Sequence, residues 1–123
     1  MKSTRIVVAL AILASLIGCG PERTKTVPDE LVGTWKTSAP KYADAYIEMS
    51  RTTITFGAGE AGSYVRSVSS VEKVREGGNT LYTVFYVDAQ GVEYKLAFYY
   101  EPGNGGAMRW KNQQSIAWAR QKG

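Results

Sequence analysis

Thr80-Leu81-Tyr82-Thr83-Val84-Phe85-Tyr86-Val87, then Asp88-Ala89-Gln90-Gly91, then Val92-Glu93-Tyr94-Lys95-Leu96-Ala97-Phe98-Tyr99-Tyr100, carries the clearest strand signal in the chain. Two runs rich in β-branched and aromatic residues flank a turn of Asp, Gln and Gly, the pattern of a β-hairpin. Side chains along a strand alternate with a period of two, so the pairing register fixes which face turns inward. A four-residue loop sets Val87 opposite Val92, Phe85 opposite Tyr94, Thr83 opposite Leu96 and Leu81 opposite Phe98. That register predicts an apolar inner face and an outer face carrying Tyr82, Val84 and Tyr86 beside Ala97 and Tyr99.

Working outward, the chain from Val32 onward is a series of such runs, which predicts an all-β domain. Eight strands are expected, near Val32–Thr37, Ala45–Met49, Thr53–Phe56, Tyr64–Arg75, Thr80–Val87, Val92–Tyr100, Met108–Asn112 and Ser115–Arg120. A turn at Arg51-Thr52 matches Met49 with Ile54 and Ile47 with Phe56. The Glu101–Gly106 loop sets Phe98 beside Trp110 and Tyr100 beside Met108, and a turn at Gln113-Gln114 brings Trp110 towards Trp118. The expected inward set is Phe56, Phe85, Tyr94, Leu96, Phe98, Trp110 and Trp118. Consecutive hairpins with one apolar face leave two open edges unless the sheet curls shut, and eight strands suffice for a barrel that is filled by side chains or holds one small ligand.

Asp29-Glu30-Leu31-Val32-Gly33-Thr34-Trp35 resembles the opening of lipocalin-like proteins, where a Gly-Xaa-Trp motif starts the first strand. The run Tyr94–Tyr100 also resembles a mid-barrel strand of that family. The resemblance implies an eight-stranded antiparallel up-and-down barrel with Trp35 plugging one end, Gly33 beside it and Arg120 of the last strand packed over the indole. Gly33-Thr34-Trp35 and Trp110-Lys111-Asn112 are also similar to avidin-like barrels, but the second element comes too late in the strand order, so biotin is not expected.

Before the barrel, Lys2 and Arg5 precede an apolar run from Ile6 to Ile17, the make-up of a signal peptide. The run is shorter than the roughly 18 apolar residues that span a bilayer. It closes on Leu16-Ile17-Gly18-Cys19, which resembles a bacterial lipobox. That resemblance implies cleavage before Cys19, acylation of Cys19 and, with Gly20 next, residence in the outer membrane facing the periplasm where two membranes exist. The expected organisation is therefore a signal peptide over 1–18, a lipidated tether over 19–28 and a barrel domain over 29–123.

Charge and composition narrow the function classes. The chain has 15 basic and 11 acidic residues. Removing residues 1–18 from the 123 takes away two of the basic ones and leaves 105 residues, enough for one domain. No cluster of Lys and Arg suggests nucleic acid. There is no histidine, and Cys19 is the only cysteine, so a Ser-His-Asp triad, a Cys-His pair and His- or Cys-based metal sites are unavailable. No pair of acids stands out as a carboxylate-only site, and neither catalysis nor a cofactor is expected.

Two binding roles follow. The first is a small apolar ligand inside the barrel, contacted by Tyr94, Phe98, Tyr100, Trp110 and Trp118. Glu72 joins this set if pairing across Glu76–Asn79 continues regularly and turns its carboxylate inward toward Arg66; a one-residue bulge at Ser69-Ser70 would turn it outward instead. The second role is a protein-interaction surface formed outside by Tyr82, Val84, Tyr86 and Tyr99, serving an assembly accessory or an inhibitor of an extracellular hydrolase. Gly62-Ser63-Tyr64 resembles a loop of small eight-stranded lipoproteins that inhibit lysozyme.

Overall fold

A computed structural model describes residues 21–122, so the leader, the lipobox and Cys19 lie outside the described residues. It is an all-β structure: β1 (Glu22–Thr24), β2 (Gly33–Lys36), β3 (Ala45–Met49), β4 (Thr53–Ala58), β5 (Ser63–Glu76), β6 (Asn79–Val87), β7 (Glu93–Glu101), β8 (Ala107–Trp110) and β9 (Gln113–Arg120). Strands β2 to β9 follow one another around an antiparallel barrel, β5 pairs with β6, and the ring closes where β2 meets β9 through Trp35 opposite Arg120 and Lys36 opposite Ala119. This is the closed eight-stranded antiparallel barrel expected from the strand pattern, with β1 as an additional strand. No described helix is long and apolar enough to cross a membrane.

Alternation of turns gives the barrel two unlike ends. The β3–β4, β5–β6 and β7–β8 turns gather at one end, together with the single 3₁₀ turn Asp29–Leu31 that leads into β2. Here Trp35 is fully buried and donates its Nε1–H to the Leu31 carbonyl at 3.0 Å. Leu31 and Val27 are buried beneath it, and the Val27 amide donates to the Arg51 carbonyl at 2.8 Å. This end is plugged. The other end, where the β2–β3, β4–β5, β6–β7 and β8–β9 connections lie, is the mouth.

Arg120 locks the plug in a form different from the expected stacking on Trp35. It is the cross-strand partner of Trp35, but its guanidinium is aimed at backbone oxygens: Nε donates to Gly105 at 2.9 Å and Nη1 to Glu30 at 3.1 Å. The carbonyl oxygens of Val32 and Asp29 lie within 3.5 Å of the same nitrogen. Its aliphatic stem crosses Gly33, where a Cβ would meet the Arg120 Cδ at 3.1 Å and where φ is +139°. Gly33 thus serves both the backbone turn and the close passage of Arg120.

All eight expected strands are present, and most of their registers are as read. Met49 faces Ile54, Ile47 faces Phe56, Phe98 faces Trp110 and Tyr100 faces Met108. Two registers differ. The β8–β9 turn falls at Lys111-Asn112 rather than Gln113-Gln114, with Trp110 opposite Gln113. The β6–β7 loop has five residues, not four, because Val92 belongs to it: the Asp88 amide donates to the Val92 carbonyl, and the Asp88 carboxylate accepts from the amides of Val92 and Gln90. Those bonds, the Val92 amide foremost, hold the Asp88 carboxyl below the usual carboxylate range.

One extra loop residue reverses the face of a whole strand. Tyr82, Val84 and Tyr86 now pair with Phe98, Leu96 and Tyr94, and all three turn inward; Tyr82 is 1% and Val84 0% exposed. Phe85, expected inside, lies outside beneath the Arg23 guanidinium, 5.1 Å from the ring centroid. The expected outward patch of Tyr82, Val84, Tyr86 and Tyr99 therefore does not exist as a surface. Tyr99 alone of these four faces out, its Oη donating to Glu76 at 2.6 Å.

The expected tether is also partly built into the wall. Because β5 is 14 residues long, β4 covers only its first half, and Glu22–Thr24 pairs with the second half at Val71–Lys73. Arg23 bonds Glu72 across this pairing at 2.6 Å.

Candidate functional site

The plugged half of the barrel is full. Phe98, Met108, Ile54 and Val84 are 0% exposed, each burial stabilising by roughly 1.5–3 kcal/mol. Towards the mouth the packing opens into a cavity of about 390 Å³ walled chiefly by Tyr42, Ala45, Phe56, Tyr64, Trp110 and Trp118. Its wall is mostly apolar.

Inward alternation on neighbouring strands assembles these walls. Ala45 and Ile47 of β3 face Ala58 and Phe56 of β4, and Phe56 continues the wall to Tyr64 of β5 and Tyr86 of β6, with centroids 5.4 and 5.3 Å away. Tyr86 in turn stacks on Tyr94 of β7 at 5.7 Å. Across the mouth, Trp110 and Trp118 stack with centroids 5.0 Å apart. Tyr42, from the single 3₁₀ turn Pro40–Tyr42 in the β2–β3 loop, packs against both indoles at 5.9 and 5.6 Å, and its Oη donates to Gln113 Oε1 at 3.1 Å.

Two polar features distinguish this site from ordinary core. The indole Nε1–H groups of Trp110 and Trp118 are buried without an acceptor among the described residues, whereas buried donors are almost always paired. Two cations stand on the lining rings: the Arg66 guanidinium lies 4.4 Å from the Tyr64 centroid and Lys41 Nζ lies 5.4 Å from that of Tyr42. Burial pushes the Tyr86 phenol above its ordinary pKa, so it is neutral at physiological pH.

The expected ligand residues do not stay together. Trp110 and Trp118 line the cavity, Tyr94 stands at its rim with Oη bonded to Asp88, and Phe98 is buried in the filled core. Tyr100 belongs to the plugged end, edge-on to Trp35 at 6.5 Å and to Tyr82 at 5.9 Å. Glu72 lies on the outer face of the barrel: it pairs with Thr83, which faces out on the reversed β6, the register shift between Val68 and Ser70 lets Tyr64 and Val71 both face inward, and the Glu72 carboxylate pairs with Arg23. Of the two readings open for Glu72, the bulge is the one realised.

Sequence reasoning missed Tyr42 and Tyr64 as cavity walls and Tyr86 as the ring packed behind Phe56. Tyr42 sits in a loop where no alternation marks it, Tyr64 lies near the start of a strand interrupted by a bulge, and the inward face of Tyr86 depends on the five-residue turn that the Asp88-Xaa-Gln90-Gly91-Val92 chemistry signals.

A larger groove of about 700 Å³ runs outside the plugged end past Lys36, Asn104, Arg120 and Lys122. Its lining carries Lys36, Arg120 and Lys122, a polar setting unlike the apolar wall of the mouth cavity. Among the described residues no group of three or more carboxylates or other metal ligands could hold a metal ion. Compared with family models, curated proteins and solved structures, the chain matches none.

Proposed function

We propose that this chain is a lipid-anchored cell-envelope protein that acts without catalysis, binding a small apolar ligand at the mouth of its barrel. Acylation of Cys19 anchors it, in the outer membrane facing the periplasm where two membranes exist. The mouth cavity carries the reading: about 390 Å³ is within the range of small-molecule sites, and aromatic walls with a few polar groups are their usual make-up. A core built for stability alone would fill this half of the barrel as it fills the other.

Fluorescence titration with phenylnaphthylamine, an apolar dye that brightens on leaving water, tests this. Saturable brightening that is abolished by Ala45→Phe, which puts a ring into the cavity, is the expected result. Brightening that is unaffected by that substitution places the dye elsewhere and removes the support for the mouth.

A second reading, contact with an envelope protein, now rests on a different surface from the one expected. The large apolar side chains that stand exposed, Tyr64, Val65, Val92 and Tyr94, all lie at the mouth end on β5, β7 and the loop before β7. Such a rim suits a partner that receives or delivers the ligand.

A further inference from the structure

The course of β1 carries information about how the barrel stands on a membrane. Glu22 faces Lys73 and Thr24 faces Val71, so β1 runs antiparallel to β5. β5 itself runs from Ser63 at the mouth to Glu76 at the plugged end. The chain therefore arrives at Glu22 from the plugged end. Even where the exposed β1 pairing opens, the reach stays limited, because Val27 is buried in the core and its amide is held by the Arg51 carbonyl in the β3–β4 turn of the plugged end.

Reach then decides the orientation. Cys19 precedes Glu22 by three residues, a span of at most about 11 Å when fully extended. From Lys73 to the β5–β6 turn at Glu76 is about 10 Å along the strand, at about 3.3 Å per residue, whereas from Lys73 back to Ser63 is about 33 Å. An acyl chain on Cys19 can meet a bilayer lying against the plugged end and cannot meet one lying against the mouth.

We infer that the plugged end rests on the lipid surface and that the mouth opens towards the aqueous compartment, about a strand length from the bilayer. The inference rests on the acylation of Cys19 proposed above. Ligand then exchanges with the aqueous side, or with a partner seated on the Tyr64, Val65, Val92 and Tyr94 rim, rather than by lateral entry from the anchoring leaflet.

The full-length, acylated protein reconstituted in phosphatidylethanolamine and phosphatidylglycerol vesicles carrying a headgroup-linked quencher tests this. A fluorophore is attached at Gly103→Cys, in the plugged-end β7–β8 turn where an added side chain meets nothing, or at Gln90→Cys, in the exposed β6–β7 loop of the mouth. Several-fold stronger quenching at position 103 than at position 90 is expected. Equal quenching, or stronger quenching at position 90, overturns the orientation while leaving the anchor intact. An intact mass without acyl chains, with the protein remaining free of the vesicles, overturns the anchor and the orientation together.

Discussion

Trp110 and Trp118 lie ring on ring, their planes 13° apart, and neither indole N–H has an acceptor among the described residues. At the opposite end of the same barrel Trp35, fully buried, donates to the Leu31 carbonyl. The barrel thus holds its indoles in two ways: one closes the structure, and the other two stack on each other and form one wall of the mouth cavity.

This contrast is measurable. Trp35→Phe and Trp118→Phe remove the same volume from sites exposed 0% and 1%, but only the first strands a hydrogen-bonded carbonyl. Trp35→Phe is expected to cost about 1–3 kcal/mol more than Trp118→Phe in urea unfolding. Equal losses would mean that the Leu31 bond contributes nothing.

The plug depends on Arg120 as a donor as well as on its stem. Arg120→Met keeps an apolar chain over Gly33 and removes the guanidinium bonds to Gly105 and Glu30. Because Arg120 is partly exposed, a loss of about 1–3 kcal/mol is expected rather than the sum of several charged bonds. Gly33→Ala, forced to a φ of +139° beneath Arg120, is expected to cost a similar 1–3 kcal/mol. Thermal melts of the two variants check both.

Glu72 makes the opposite case. Its pair with Arg23 is short, but the two side chains are 24% and 58% exposed, so solvent screens it. Glu72→Ala is expected to lower stability by at most about 1 kcal/mol and to leave dye binding unchanged. Loss of dye binding would return the carboxylate to the site.

Alkaline pH probes the Tyr82 end. Tyr82 donates its Oη–H to the Glu30 carboxylate, and its pKa is raised chiefly by burial and then by that bond. The unfolded chain releases this proton near pH 10, while the folded chain keeps it to higher pH. The folded state therefore binds more protons above about pH 10, and the stability contributed by the group, complete below that value, is lost as pH rises. Tyr82→Phe is expected to give a shallower decline between about pH 9 and about pH 11. Tyr86, Tyr99 and Tyr100 are also raised and sustain the remainder. Parallel curves for the two proteins would contradict the assignment.

The strands were legible because alternation survives in them, and the plug because Gly33-Thr34-Trp35 and Arg120 sit at the two edges that must meet. Two kinds of residue were not. Those whose face depends on loop length, Tyr82 to Tyr86, turned over with the single added residue Val92. Those placed by tertiary contact alone, Tyr42 in its loop and Glu22–Thr24 on the uncovered half of β5, carry no local periodicity. Of the walls of the mouth cavity, Tyr42 is of the second kind, whereas Phe56, Trp110 and Trp118 lie on strands whose alternation can be read, so those three were legible and Tyr42 was not.

Native mass spectrometry of the protein released gently from its own envelope shows whether the mouth holds a ligand. A small, lipid-like or aromatic mass retained by the wild type and absent from Ala45→Phe is the predicted result. A bare wild-type protein, identical in every charge state to the blocked variant after exposure to envelope extract, would contradict a ligand-binding mouth.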